Sequence, residues 1–262
     1  TRNKLPHISY SELKNWKQCP FKHKLVHIDK IKGFTGNEYT AFGTALHTVC
    51  EDLLTEHVNK DVDESELFTV EFRKEIKKLD VELRKDMIVS MFEQGKKIAP
   101  ITIPYLQEHF GKFEVFATEE KLYEEMEGLG DYLFKGFIDL VIKTEDNKIH
   151  IIDYKTCSWG WGKQQRSDKM IAYQLVLYKH FFCKKYNIKP EDVETHFCLL
   201  KRTAKTNIVE VFSTTSGPKR TKNAIELLAT AVKTIKNKIH IKNRLACTSG
   251  FGCEFYRTKH CK

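Results

Sequence analysis

The sequence predicts an α/β fold, a central mixed sheet flanked by helices, with a helical insertion at about residues 60–110. Three observations predict it. Apolar residues at helical spacing dominate the first hundred positions, strand-like apolar runs begin after Gly111, and a long amphipathic helix follows near the C-terminus. With 262 residues, 41% of them hydrophobic, a packed core is within reach. One domain over residues 1–262 with a cysteine-bearing tail at about 245–262 is the expected organisation.

Ser9-Tyr10-Ser11-Glu12 fits a capping box, in which the serine hydroxyl and the glutamate three residues on satisfy each other's backbone N–H groups. Leu13 and Trp16 mark one face of the helix it starts, and Pro20 after Cys19 should stop or bend it. After a loop at Gly33-Phe34-Thr35-Gly36, a second helix is expected near Ala41 to Val58, on the spacing of Ala45, Leu46, Val49, Leu53 and Leu54. The stretch from Glu64 to His109 is charged and helical in period, with breaks expected near Pro100 and Pro104.

Strands are expected from Phe113 to Leu122 and from Leu133 to Lys143. Glu145-Asp146-Asn147 reads as the turn into an antiparallel partner over Ile149–Lys155. A helix from Asp168 to Tyr186 has Ser167 available as its cap. Strands at Val193–Lys201 and Ile208–Ser213 then precede a helix from about Pro218 to Asn243, whose apolar stripe is Leu228, Val232, Ile235 and Ile239.

The net charge is +9, and residues 214–262 alone hold 11 Lys and Arg against Glu226 and Glu254. A positive field localised in this way suits a polyanion such as nucleic acid, or equally a solvated basic helix. No run of 18 apolar residues exists, so no membrane span is expected. The first residues lack the apolar stretch of a secretory signal, and eight scattered cysteines do not read as a secreted disulfide scaffold. A reducing, cytoplasmic setting is expected, that of the host if the chain is phage-encoded.

Chemistry concentrates on the expected hairpin. Asp139 interrupts an apolar strand, Asp153 ends the run Ile149–Ile152, and Lys155 shares a face with Asp153 because strand residues i and i+2 point the same way. Two carboxylates on adjacent strands can hold Mg²⁺ or Mn²⁺, and a neighbouring ammonium can orient or deprotonate water and offset phosphate charge. Read alone, Asp-x-Lys is equally a surface ion pair. Gln174 and Tyr178, four apart on the next helix, share a face, and His47 lies early in the second helix with Glu51 one turn on.

Taken in order, these pieces resemble the RecB-type branch of the PD-(D/E)XK nuclease superfamily. That branch reads Gly-x-x-x-His, Gly-x-x-Asp, Asp-x-Lys and Gln-x-x-x-Tyr, matched here by Gly43 with His47, Gly136 with Asp139, Asp153 with Lys155, and Gln174 with Tyr178. Ser9, Ser11, Leu13, Trp16, Cys19 and Pro20 match the family's opening helix. The resemblance implies a restriction-endonuclease-like core, with His47, Asp139, Asp153 and the Tyr154 carbonyl as metal ligands. It also implies that Lys155 is the catalytic lysine, and that Gln174 and Tyr178 support the site or touch the DNA backbone. The implied function is Mg²⁺- or Mn²⁺-dependent hydrolysis of DNA, as an exonuclease on single-stranded ends in recombination, repair or phage DNA metabolism. The alternatives are a structure-selective endonuclease and an inactive nucleic-acid-binding module. No Walker sequence is present, so a helicase or recombination partner would have to come from another chain.

Many nucleases of this branch hold a 4Fe-4S cluster on one early and three late cysteines, which would here be Cys19 with Cys247, Cys253 and Cys261. The late spacing, Cys-x5-Cys-x7-Cys, departs from the family's tighter group, with Tyr256 where a cysteine would stand. Ser249, Gly250 and Gly252 would let Cys247 fold back in its place. A zinc site recruiting His260, or free thiols, are the alternatives. Cys50, Cys157, Cys183 and Cys198 lie in apolar surroundings and read as structural. Trp159 and Trp161 would stack on unpaired bases or pack in the core. Lys163, Arg166, Lys201, Arg202, Lys233 and Lys236 are the candidate phosphate contacts.

Overall fold

The computed structural model describes residues 5–55, 62–250 and 252–262. Its residues group into two compact units. One comprises Thr1–Thr35, Leu122–Gly136 and Gly217–Lys262, and the other Gly36–Lys121 and Phe137–Ser216. The second helix, expected to run on towards Val58, ends at Leu54 with Thr55 as an extended C-cap; Val58 itself, the Phe251 of the tail and residues 1–4 lie outside the described residues.

In the first unit, β1 (His7–Ser9) leads directly into α1 (Tyr10–Gln18). The capping box is formed: the Glu12 amide donates to Ser9 Oγ at 3.2 Å, and the Ser9 amide to Glu12 Oε2 at 3.0 Å. Leu13 and Trp16 are buried on the inner face. The helix ends at Cys19, and Pro20 opens a short new turn, α2 (Pro20–His23), because its fixed φ suits a first helical position. β1 pairs in parallel with the start of β3 (Leu133–Thr144), His7 opposite Leu133 and Ser9 opposite Lys135.

The second unit opens with α3 (Glu38–Leu54), capped by Asn37, then α4 (Glu64–Lys77) and α5 (Lys85–Phe110). Contrary to the expected breaks, α5 runs unbroken through Pro100 and Pro104. Each proline removes a donor to the carbonyl four residues earlier. The carbonyl orphaned by Pro100, that of Lys96, accepts instead from Ser65 Oγ at 3.0 Å. Pro104 leaves open only the carbonyl of Pro100 itself. Where α4 and α5 cross, a Cβ on Gly95 would sit 2.0 Å from the Phe68 ring, so close packing requires glycine there.

β2 (Phe113–Glu125) and β3 follow, and β3 turns through Asn147, at φ 64°, into β4 (Ile149–Cys157). After α6 (Lys163–Ser167), α7 (Lys169–Tyr186) is capped by Asp168, whose Oδ1 accepts from the Met170 amide at 2.7 Å. The expected cap, Ser167, instead closes α6. β5 (Val193–Lys201) and β6 (Val209–Ser213) complete a mixed six-stranded sheet, ordered β1-β3-β4-β5-β6 with β2 also paired to β3. β3 and β4 are antiparallel, with Leu140 opposite Ile152; β4 and β5 are parallel, with Asp153 opposite Phe197. The core beneath one face joins Phe42, Leu46, Phe68, Phe72 and Met91 to Ile152, Tyr154, Cys198 and Leu200.

Back in the first unit, α8 (Pro218–Lys236) stops seven residues short of the expected end at Asn243. Lys238 adopts φ 56°, and the Ile239 amide turns back to the Thr234 carbonyl, which terminates the helix and leaves Ile239 44% exposed. Among the described residues no helix is long and apolar enough to cross a membrane.

Candidate active site

Three elements of the second unit bring the expected polar residues together. α3 supplies His47, the hairpin β3–β4 supplies Asp139, Asp153, Tyr154 and Lys155, and α7 supplies Gln174 and Tyr178. His47 Nδ1 stands 3.5 Å from Asp139 Oδ2. That oxygen also accepts the Tyr154 amide at 2.7 Å. Asp153 is buried, with Lys155 Nζ 2.6 Å from its Oδ2 and Gln174 Nε2 donating to its Oδ1 at 2.7 Å. Gln174 Nε2 also lies 3.3 Å from the Tyr178 hydroxyl, so the glutamine links helix to hairpin.

The charges are strongly coupled. Burial pushes the Asp153 carboxyl up to about 6; Lys155 counters that rise and the like charge of Asp139 adds to it. Asp139 goes the other way: burial would raise it, but His47 beside it, Lys155 and the Tyr154 amide together hold it low. Burial would lower His47 and Lys155, but the attraction of Asp139 and Asp153 raises both. Glu119, on β2, is pushed upward by desolvation and then by the like charges of Asp139 and Glu51. It belongs to the same electrostatic cluster, and sequence reasoning missed it. Glu119 adopts φ 46° within its strand, a backbone feature with no spacing signal in the sequence.

The donor set fits a divalent cation in chemical type: two carboxylates and one imidazole, with carboxylates favouring Mg²⁺ and Mn²⁺. Asp153 Oδ2 is buried without a hydrogen bond of regular geometry, and the cation that faces it is the Lys155 ammonium at 2.6 Å. That pair offsets the cost of burying the charge, and the carboxylate remains the donor type that a divalent cation takes. The ligand atoms of His47, Asp139 and Asp153 do not all lie within 4.8 Å of one another.

The four candidate cysteines all belong to the first unit. Cys19, Cys247, Cys253 and Cys261 are half-buried free thiols lining one cavity of about 390 Å³, together with Phe21, Leu25 and Phe255. The loop doubles back as Gly252 requires, at φ 78°, and the Cys253 amide donates to the Cys247 carbonyl at 3.0 Å. Cys19 Sγ accepts the Asn243 amide at 3.4 Å. Desolvation, and then the thiols of Cys261, Cys253 and Cys19, push Cys247 upward, which places the four within electrostatic reach of one another. Cys50, Cys183 and Cys198 are buried and Cys157 is half-buried. Burial pushes Cys50 up to about 12, the condition of an inert thiol.

Of the candidate phosphate contacts, Lys163, Arg166, Lys201 and Arg202 belong to the second unit and Lys233 and Lys236 to the first. Lys201 is buried and paired with Glu210 at 3.2 Å, and the same carboxylate holds Arg166 at 2.7 Å. Arg202 donates to Gln94 Oε1 at 2.9 Å and to Ser158 Oγ at 3.2 Å. Lys236 donates to the Leu129 carbonyl at 3.2 Å. Lys163 and Lys233 are exposed. Trp161 packs against Phe197 and Phe212, whereas Trp159 is 78% exposed.

Comparison with known proteins identifies the family. The sequence pattern of the PD-(D/E)XK nuclease superfamily matches residues 7–261, and the chain belongs to that superfamily. No curated protein matches the chain. Among solved structures it is similar to that of a candidate exonuclease from Eubacterium rectale, at 11% identity and a TM-score of 0.56, covering 92% of this chain and 86% of that one. At that identity the likeness bears on the fold alone. A second structure, SSO0001, is 14% identical over 94% and 92% of the two chains, with a TM-score of 0.39, too loose to place any element.

Proposed function

We propose that the protein is a deoxyribonuclease that hydrolyses phosphodiester bonds with Mg²⁺ or Mn²⁺, acting as an exonuclease on single-stranded ends. The observation that carries this reading is the coupled set on one hairpin: Asp139 held low by His47, and buried Asp153 paired with Lys155. His47, Asp139, Asp153 and the Tyr154 carbonyl would hold the cation. When bound, it supplies Lewis-acid stabilisation of phosphate charge and a water of lowered pKa. Lys155, kept as an ammonium by the two carboxylates, would orient the attacking water and offset charge on the scissile phosphate. Gln174 fixes the Asp153 carboxylate through Oδ1, while Oδ2 faces Lys155. Tyr178 braces Gln174.

Unpaired bases would stack on Trp159, whose indole is available in a way that Trp161 is not. Lys163 and Lys233 are the exposed cations for phosphate. The test is a gel assay on end-labelled linear and covalently closed single strands, with and without Mn²⁺. Metal-dependent shortening of linear strands with circles intact is the expected result. Rapid nicking of circles would assign an endonuclease, and no cleavage of either would assign a binding module.

In the same reading Cys19, Cys247, Cys253 and Cys261 hold a 4Fe-4S cluster that ties the tail to α1. The cavity they line and the amide directed at Cys19 Sγ support it, since such hydrogen bonds to sulfur accompany cluster ligation.

A further inference from the structure

β4 has two faces. Asp153 and Lys155 occupy one, and His150 shares the other with Ile152 and Tyr154, because strand side chains alternate. On β5, Glu194 lies opposite His150 and His196 opposite Ile152, so three ligating side chains gather on the face away from Asp153. His150 Nδ1 is 3.0 Å from His196 Nε2, and Glu194 Oε2 is 3.8 Å from the first and 3.7 Å from the second. Ligands at about 2.0–2.1 Å around a tetrahedral Zn²⁺ stand roughly 3.3 Å apart, a spacing that these separations bracket. It is the one trio of possible metal ligands among the described residues with all atoms within 4.8 Å of each other.

We propose that His150, Glu194 and His196 form a second divalent-cation site, distinct from the catalytic centre, with Zn²⁺ as its occupant. Two imidazoles and one carboxylate are a borderline-soft set that suits Zn²⁺ better than Mg²⁺. The surroundings prepare the histidines for ligation. Thr144 Oγ1 lies 3.2 Å from His150 Nε2, and its one proton goes to Asp146 Oδ1 at 2.5 Å, with the Lys148 carbonyl farther off at 3.2 Å. Its oxygen therefore accepts from His150 Nε2–H, which leaves Nδ1 as a bare lone pair aimed at the site. The Phe110 ring packs against both imidazoles, at 4.9 and 5.1 Å between centroids, and fixes their planes. Burial lowers His150, and burial together with His150 and His109 lowers His196 to about 3, so both stay neutral and able to ligate. Glu194 is 51% exposed and gives the cation a route from solvent. A bound ion would clamp the parallel strands β4 and β5 at the end opposite to Lys155 and Leu199.

The test is calorimetric titration of the full chain with zinc chloride, alongside visible spectra of the Co²⁺-loaded protein. Glu194→Gln is the decisive variant, because its side chain is exposed and its replacement leaves the core packing intact. It should weaken one Zn²⁺ per chain by at least about tenfold. The tetrahedral Co²⁺ bands should fall while any thiolate-to-cobalt charge transfer, the mark of the cysteines, is unchanged. His196→Gln should remove the same site outright. Wild-type stoichiometry, affinity and Co²⁺ bands in Glu194→Gln would overturn the proposal, as would a loss confined to the thiolate band.

Discussion

The backbone amide of Tyr154 donates to the carboxylate of Asp139 at 2.7 Å, just beyond the last ladder pair between β3 and β4, Leu140 with Ile152. A side chain has taken over from the strand ladder at the point where Asp153 and Lys155 emerge. The hairpin thereby fixes Asp139 Oδ2 against His47 without a dedicated loop.

Removing the central carboxylate should separate chemistry from binding. Asp153→Ala should lower the cleavage rate by at least about 10³-fold while retaining DNA affinity in a filter-binding assay, and Lys155→Ala should do likewise. Gln174→Ala should cost about 10- to 100-fold, because it loosens the Asp153 carboxylate without removing it. Near-normal cleavage by either Asp153→Ala or Lys155→Ala would refute the assignment.

Metal affinity should depend on pH in a defined sense. Asp153 must lose its proton to ligate, and that proton is held up to about pH 6, whereas Asp139 is already ionised well below this. His47 must also be neutral to ligate, and against its burial Asp139 and Asp153 raise it above its usual value. Mn²⁺ affinity should therefore still be rising at about pH 7 and fall by more than about tenfold per unit below 6, as the metal competes with a proton on each group. Calorimetry between pH 5 and 8 reads this directly. A flat profile would mean that Asp153 does not ligate.

Gly95→Ala tests the crossing of α4 and α5. Alanine gains about 1 kcal/mol of helix propensity, but its Cβ would lie 2.0 Å from the fully buried Phe68 ring, and overpacking of that kind costs about 1–3 kcal/mol. Net destabilisation is expected in urea unfolding. Gly162→Ala, whose Cβ would meet nothing within 4 Å, should change stability by no more than about 0.5 kcal/mol.

Protein prepared without oxygen should be brown and carry about four irons per chain if the cluster is present. Cys19→Ala should bleach it and expose the segment after Asn243 to proteolysis. Colourless protein with one zinc, or with four titratable thiols, would remove the cluster and leave the nuclease assignment standing.

Local chemistry was the part of the fold most legible in the sequence. The Ser9–Glu12 box, the turn at Asn147 and the strands around Asp139 and Asp153 follow from short-range rules, and the structure reproduces them. Some departures were local, as where Lys238 ends α8 and Asp168 caps α7, but at α5 a distant partner decided the outcome. Ser65 compensates the carbonyl that Pro100 orphans, so α5 continues, and no inspection of residues 96–104 alone could supply that hydroxyl. The same holds at the candidate site. His47, Asp139, Asp153 and Lys155 stand in a readable order. Glu119 enters only through the backbone turn of β2, and the His150, Glu194 and His196 trio only through the parallel register of β4 with β5. Lys201 looked like a surface cation and is buried, because Glu210 across the β5–β6 ladder neutralises it.

The hydrogen bond from Asn243 to Cys19 joins residues 224 apart in sequence, and the unit that contains it draws on both ends of the chain. During synthesis every residue of the other unit, through Ser216, is polymerised before Asn243 exists. The α1 end must therefore wait, with Cys19 uncovered, until its distant partner arrives. Loop closure over such a span carries a large entropic cost before any contact rewards it. Closure of this unit is expected as the slow, late phase of folding, and in that interval the thiol of Cys19 is open to any oxidant or metal in the cell.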